Sequence, residues 1–126
     1  MAGETLLIVE DNSVNQKLLM VVLRPYGYRL LTAQDGEEAV RVASKEHPDL
    51  ILMDLQLPKL SGFAATQMIK QNPDTAHALV IALTAHAMDE EKENALEAGF
   101  DGYITKPINT RTFPEQIRAF LDNGSL

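Results

Sequence analysis

Five side chains that could carry out phosphoryl chemistry each follow a short apolar run of the sequence. They are Glu10, Asp11, Asp54, Thr84 and Lys106. Three carboxylates that meet in one cleft repel one another, and their pKa values rise unless a cation neutralises them. Mg²⁺ is suited to this role because it takes one or two carboxylates together with phosphate oxygens. The set therefore predicts a magnesium-assisted reaction of a phosphoryl group, if the fold brings these residues together.

The apolar runs have the pattern of buried strands, because they are aliphatic and do not alternate with polar residues. They cover residues 5–9, 29–33, 50–53, 79–83 and 103–105. Helical spacing predicts helices near residues 13–26, 36–45, 63–71 and 89–98. The start of a last helix is left open between an Asn109 cap and a capping box at residues 112–115. This alternation predicts a doubly wound α/β fold, a (βα)5 flavodoxin-like three-layer sandwich with parallel strand order 2-1-3-4-5.

In a sheet of this kind ligands bind beyond the carboxyl ends of the strands. Asp11 and Asp54 are then the expected direct ligands of Mg²⁺, Glu10 acts through a bound water, and the backbone carbonyl of Gln56 supplies a further oxygen. Asp54 could attack a phosphoryl group, whose oxygens the hydroxyl of Thr84 and the ammonium of Lys106 would bind. Each residue alone is more often a turn residue, a helix cap or a solvated lysine, so the combination carries the prediction.

Five segments in chain order resemble the receiver domain of bacterial two-component and phosphorelay response regulators, of the single-domain type. They are Ile8-Val9-Glu10-Asp11-Asn12, Asp49-Leu50-Ile51-Leu52-Met53-Asp54, Leu57-Pro58 with Gly62, Leu83-Thr84-Ala85, and Tyr103-Ile104-Thr105-Lys106-Pro107. The resemblance implies that Asp54 is the phosphoacceptor, that Glu10 and Asp11 hold Mg²⁺, and that Thr84 and Lys106 bind the phosphoryl group. It also implies that Tyr103 changes rotamer and that the Lys106–Pro107 peptide bond is cis.

The same resemblance places the lifetime of the phosphoryl group under the control of Gln56 and His86. A phosphoryl dianion nearby would raise the pKa of His86 and make hydrolysis depend on pH between about 6 and 8. The alternative is an exposed histidine that never reaches the phosphate.

The first predicted helix is more apolar than one buried stripe requires. Leu19, Val22 and Tyr26 share one face, whereas Val14 and Val21 fall on another and Leu18 lies at the border. The resemblance implies that a histidine kinase or histidine phosphotransfer protein docks on Val14, Leu18 and Val21. The alternative is a well-covered core helix with a small surface patch.

An output face is predicted around the fifth strand and the helix near residues 89–98. That helix has little apolar periodicity, so it should be held weakly and shift towards a downstream protein target. The alternative is a helix whose acidic face is simply solvated, since its sequence would show the same pattern.

Length, charge and the absence of cysteine limit the number of domains, the kinds of partner and the location that are expected. A chain of 126 residues is expected to form a single domain over residues 1–126. With a net charge of −7, direct binding to nucleic acid or to an acidic membrane is not expected. There is no cysteine and no signal-peptide pattern at the first residues, so a cytoplasmic location is expected. The short tail after the last helix fits a stand-alone relay protein or a receiver excised from a hybrid kinase.

Three competing functions fit the sequence less well. A magnesium-dependent phosphatase with an aspartyl-phosphate intermediate would need a second aspartate at position 56, where this chain has Gln56. A flavodoxin-type flavin protein would need a phosphate loop rich in Ser, Thr and Gly after the first strand. A scaffold that is not phosphorylated would not need the complete acidic set. The expected function is a phosphorylation-activated switch that catalyses only its own phosphorylation and dephosphorylation.

Overall fold

The computed structural model describes residues 3–55, 57, 59–84 and 97–124. The strands in these ranges are β1 (Thr5–Val9), β2 (Arg29–Ala33), β3 (Leu50–Asp54), β4 (Leu79–Thr84) and β5 (Gly102–Thr105). The α-helices are α1 (Ser13–Leu23), α2 (Gly36–Glu46), α3 (Gly62–Gln71) and α4 (Phe113–Asn123), and a 3₁₀ turn (Arg24–Tyr26) follows α1. The helix predicted near residues 89–98 lies outside the described residues, except for its last two positions.

The five strands form one parallel sheet in the order β2-β1-β3-β4-β5, so the predicted fold class and strand order are confirmed. All five residues of β3 are buried, as expected of a central strand that is covered on both faces. Leu7 and Ile51 face α2 and α3, whereas Leu6 and Leu52 face α1 and α4. One apolar core therefore packs on each face of the sheet and holds its strands in place.

The first helix differs from its predicted extent. It ends at Leu23, because Pro25 lacks a backbone N–H and belongs to the separate 3₁₀ turn. Tyr26 therefore does not share a helix face with Leu19 and Val22 as predicted, and it is 51% exposed. The buried pair on this helix is Leu19 and Leu23, one helical turn apart.

The last helix begins at Phe113, with Thr112 at its N-cap position and Pro114 in its first turn. Asn109 caps the turn before this helix, since its Oδ1 accepts from the N–H of Arg111 at 3.0 Å. The predicted capping box does not form. The backbone of Thr112 is helical, with φ −95° and ψ −17°, whereas a capping side chain needs an extended backbone. None of the helices in the described part of the chain is long and apolar enough to cross a membrane.

Candidate functional site

Four strands bring chemically active side chains to one edge of the sheet. Glu10 follows β1, Asp54 ends β3, Thr84 ends β4 and Lys106 follows β5. Glu10 is 2% exposed, and Asp54 and Thr84 are each 6% exposed. Asp11, in contrast, is exposed to solvent. The predicted set is therefore assembled at the carboxyl ends of the strands, with Asp11 as its one exposed carboxylate residue.

The ammonium of Lys106 joins two of the carboxylates. Its Nζ donates to Glu10 Oε2 at 2.9 Å and to Asp54 Oδ2 at 3.0 Å. The backbone N–H of Lys106 donates to the carbonyl of Thr84 at 2.7 Å, which fixes the lysine relative to β4. One residue thus connects the ends of β1, β3 and β4.

Burial and pairing shift the protonation of this group. Burial raises the pKa of Glu10 and the neighbouring charge of Asp54 adds to the rise, whereas the hydrogen bond from Lys106 opposes it. Burial acts to lower the pKa of Lys106, but its hydrogen bonds to Glu10 and Asp54 outweigh that effect, so its pKa lies above the ordinary value. The lysine therefore stays charged at neutral pH and acts as a fixed cation.

The acidic residues are close enough to share one cation. One carboxylate oxygen each from Glu10, Asp11 and Asp54 lies within 4.8 Å of the other two. Within the described residues, Lys106 brings one positive charge to the three carboxylates of this cluster. Oxygen donors with an excess of negative charge fit a hard divalent cation such as Mg²⁺. The predicted fourth oxygen, the carbonyl of Gln56, lies outside the described residues, as does His86.

The backbone behind Asp54 leaves no room for a larger residue at the start of α3. A Cβ atom on Gly62 would lie 2.4 Å from the carbonyl oxygen of Asp54. Glycine therefore lets α3 begin directly against the end of β3, where the side chain of Ser61 caps the helix through the N–H of Ala64. The close approach of Gly62 to the carbonyl of Asp54 therefore packs the start of α3 against the backbone of Asp54.

Thr84 and Tyr103 lie on the same face of the sheet. Tyr103 pairs with Ala82, and Thr84 is two residues farther along β4, where it pairs with Thr105. Side chains two residues apart on a strand point to the same face. Tyr103 is partly buried against the core that α2 and α3 cover. The Lys106–Pro107 peptide bond, which follows β5, is cis.

The first helix begins beside the site and carries an exposed apolar stripe. Val14, Leu18 and Val21 are 73%, 44% and 57% exposed. Leu18 also lines a cavity of about 370 Å³ between α1 and the segment that begins at Lys106. The predicted docking residues are thus on the surface and adjoin the acidic site.

The sequence predicted no role for two residues that hydrogen-bond the backbone near this site, although one of them, Asn12, lies in the first motif. The side chain of Asn12 caps α1 through the N–H groups of Val14 and Asn15, and its own N–H donates to Glu10 Oε1 at 3.3 Å. Asparagine immediately before a helix is a recognisable cap signal. Gln16 bonds the backbone at the ends of β1 and β2, and no sequence pattern marks it.

Comparison with known proteins identifies the family. Residues 6–118 match the family described as the response regulator receiver domain. The chain belongs to the response regulator receiver family. The polar-differentiation response regulator DivK of Brucella ovis is 41% identical over 121 residues, which are 96% of this chain and 98% of DivK. Receiver domains of response regulators are phosphorylation-dependent signalling switches and not conventional enzymes.

Two solved receiver structures are similar to this chain over nearly its whole length. The receiver domain of the sensor histidine kinase PA1611 from Pseudomonas aeruginosa has a magnesium ion coordinated in its active-site cleft. It is 38% identical, with a TM-score of 0.88, over 97% of this chain and all of that one. The other is a co-crystal structure of the Saccharomyces cerevisiae histidine phosphotransfer signaling protein Ypd1 and the receiver domain of its downstream response regulator Ssk1. The matching chain is 33% identical, with a TM-score of 0.88, and the match covers 99% of this chain and 93% of that one.

Proposed function

We propose that this receiver accepts a phosphoryl group on Asp54 from a phosphohistidine of a partner protein. The observation that carries the proposal is the bridge of Lys106 Nζ between Glu10 Oε2 and Asp54 Oδ2, beside the third carboxylate of Asp11. A buried carboxylate next to a fixed ammonium and further oxygen donors is suited to phosphoryl transfer, in which positioning and charge stabilisation dominate catalysis.

In the proposed step, an oxygen of Asp54 attacks the phosphorus atom and a new P–O bond forms. The P–N bond to the histidine breaks, and its electron pair returns to the imidazole nitrogen. The product on this chain is an acyl phosphate. Lys106, held by the Thr84 carbonyl, binds one of the phosphoryl oxygens as negative charge builds on them.

Asp11 and Asp54 are the residues that would hold Mg²⁺ directly, with Glu10 acting through water and Gln56 through its backbone carbonyl. The ion would draw negative charge away from the phosphoryl oxygens when bound. Glu10 is already oriented by two donors, since its two oxygens accept from Lys106 Nζ and from the N–H of Asn12. This division leaves the exposed Asp11 free to turn towards a cation.

Phosphorylation would switch the chain through Thr84 and Tyr103. The hydroxyl of Thr84 turns onto a phosphoryl oxygen, and Tyr103, on the same face of the sheet, rotates inward into the space that becomes available. The face around β5 and residues 89–98 then changes and meets a downstream protein target. Gln56 and His86 are proposed to control how long the phosphoryl group survives.

The donor would be a histidine kinase or a histidine phosphotransfer protein that docks on the stripe of Val14, Leu18 and Val21. These three residues expose apolar surface on the helix that begins beside the acidic cluster. A partner helix lying there would bring its phosphohistidine to Asp54. We further propose that residues 1–126 form one domain that acts in the cytoplasm.

The test is incubation of the full chain with Mg²⁺ and acetyl phosphate, followed by intact mass spectrometry. The wild-type chain should gain one phosphoryl group that is lost in alkali and on treatment with hydroxylamine, as expected of an acyl phosphate. Asp54→Asn should gain none, whereas Asp74→Asn, the same change at an exposed position, should be labelled like wild type. Labelling of Asp54→Asn with the same chemical sensitivity would overturn the assignment.

A further inference from the structure

Gln16 holds two backbone carbonyls next to the acidic cluster. Among residues 11–18, all of which the structure describes, it is the one residue that is not exposed. Its Nε2 donates to the carbonyl oxygens of Glu10 and Ala33, each at 3.2 Å. Both partners are acceptors, so the NH₂ group with its two hydrogens is the end of the amide that meets them.

These carbonyls lie where β1 and β2 stop pairing. Val9 and Ala33 are the last pair of the ladder, and the N–H of Glu10 still reaches the carbonyl of Ala33 at 3.1 Å. Beyond this point the chain turns into α1 on one side and towards α2 on the other. The amide of Gln16 therefore ties α1 to the ends of both strands at the position where the ladder ends.

The carbonyl of Glu10 belongs to the peptide bond that joins Glu10 to Asp11. A peptide bond is planar, so fixing the direction of its carbonyl fixes the plane and the directions in which the chain leaves it. The carboxylate of Glu10 is also held by Lys106 and Asn12. Within the described residues the carboxylate of Asp11 makes no hydrogen bond or ion pair, so its direction depends on this backbone.

We propose that Gln16 is a positioning residue for the acidic cluster. By holding the carbonyls of Glu10 and Ala33, it sets the direction of Asp11 relative to Glu10 and thereby the affinity of the cluster for a divalent cation. This inference rests on the proposed function, in which these carboxylates hold Mg²⁺. Groups that orient metal ligands without touching the metal commonly contribute about 10- to 100-fold to metal affinity.

The test is Gln16→Met, which keeps an unbranched side chain and a good helix former but has no N–H donor. Gln67→Met is the matched control, because it makes the same change at an exposed position of α3. Titration calorimetry of the full chain with Mg²⁺ alone should show affinity about 10-fold weaker or more for Gln16→Met. The control should match wild type.

A second measurement uses the metal-free chain. The amide ¹⁵N resonances of Asp11 and Gln34 report on the two carbonyls, since each nitrogen shares a peptide bond with one of them. Both resonances should shift in Gln16→Met and stay in place in Gln67→Met. If Gln16→Met does not fold, Gln16→Asn gives the same comparison, because its amide is one methylene too short to reach both carbonyls.

The outcomes separate this inference from the function on which it rests. If wild type binds Mg²⁺ and folded Gln16→Met binds it equally well, Gln16 is only a structural residue and the inference is overturned, even where the variant unfolds more easily. A wild-type chain that binds no Mg²⁺ overturns both the inference and the proposed magnesium site. Phosphorylation of Asp54→Asn contradicts the proposed function alone.

Discussion

Lys106 Nζ lies 3.0 Å from Asp54 Oδ2, although the two residues are 52 positions apart in the chain. Two strand ends and the backbone bond from Lys106 to the carbonyl of Thr84 produce this contact. The ammonium compensates charge that would otherwise be buried on Asp54 and Glu10. Lys106 therefore stabilises the folded chain and also belongs to the site.

Lys106→Met should lower the free energy of unfolding by about 1–3 kcal/mol in metal-free buffer, because two buried carboxylates each lose the ammonium as a donor and as a neutralising charge. Added Mg²⁺ should restore more stability in this variant than in wild type, since the cation would neutralise the same carboxylates. Urea unfolding with and without Mg²⁺ measures both effects. Lys17→Met on the exposed side of α1 is the control, and an equal loss in the two variants would contradict the prediction.

Asp11→Asn should weaken Mg²⁺ binding and abolish labelling by acetyl phosphate, because the exposed carboxylate is a proposed direct ligand. Its effect on the free energy of unfolding should stay within about 0.5 kcal/mol, as expected for an exposed residue without a partner among the described residues. Calorimetry with Mg²⁺, intact mass and urea unfolding test these three effects in turn. If Asp11→Asn were labelled as strongly as wild type in the presence of an excess of Mg²⁺ chelator, the reaction would need neither Asp11 nor Mg²⁺.

Glu4 predicts a pH dependence of stability that is separate from the site. Its Oε2 accepts from Arg118 Nη2 at 2.6 Å, and this hydrogen bond holds the pKa of Glu4 below its ordinary value of 4.5, with burial opposing. A lowered pKa in the folded state contributes stability above pH 4.5 that is lost as the pH falls through the folded value.

Glu4→Gln should therefore be less stable than wild type at pH 7, by no more than about 1 kcal/mol because the pair is partly solvated. The difference should shrink below about pH 4.5. Urea unfolding of both chains from pH 7 to pH 3 measures it. A difference that stays constant over this range would assign the effect to packing and not to the charge of Glu4.

Most of the fold and the main site could be predicted from sequence, because both depend on the spacing of apolar residues and on the order of strands and helices along the chain. Buried strands that alternate with helices must form a parallel sheet, and parallel strands end at one edge. The order of the elements alone therefore predicts that Asp54 and Lys106 lie at the same edge of the sheet.

Details that depend on local backbone geometry could not be predicted. A glutamine on an amphipathic helix looks solvated whether or not it bonds a strand end, so Gln16 gave no signal. Tyr26 matched the helical period, but Pro25 moved it into a 3₁₀ turn. Thr112 has a capping side chain, yet its helical backbone prevents the cap. The functions of Gln56 and His86 stay predictions.

His47 is the C-cap residue that follows α2, and it has a left-handed conformation with φ 50° and ψ 60°. This region costs a non-glycine residue roughly 1–2 kcal/mol. His47→Gly should therefore be more stable than His47→Ala by about 1 kcal/mol, because both lack the imidazole and only glycine is relieved of the strain. Thermal or urea unfolding of the two variants makes the comparison. Equal stability would show that the helix end relaxes out of this conformation.

If a partner protein docks on the stripe of Val14, Leu18 and Val21, a variant of this stripe should slow phosphotransfer from that protein. The same variant should not slow labelling by acetyl phosphate, which is too small to need the stripe. Val14→Ser combined with Val21→Ser removes exposed apolar surface without touching the acidic cluster. Phosphotransfer from a phosphorylated histidine phosphotransfer protein that labels wild type should weaken roughly 10-fold or more, because docking would bury these side chains and burial contributes about 0.8 kcal/mol per CH₂ group. Labelling by acetyl phosphate should not change.

Met68→Ser on α3 is the matched control, since Met68 is also an exposed apolar helix residue, 48% exposed, and lies outside the stripe. The measurement is the initial rate of label transfer at several concentrations of the donor protein, so that a rise in KM can be separated from a fall in kcat. Docking on α1 predicts a rise in KM for the stripe variant alone. If Met68→Ser were impaired to the same degree, or if acetyl phosphate labelling fell together with protein-dependent transfer, the partner would not be using this helix as its docking surface.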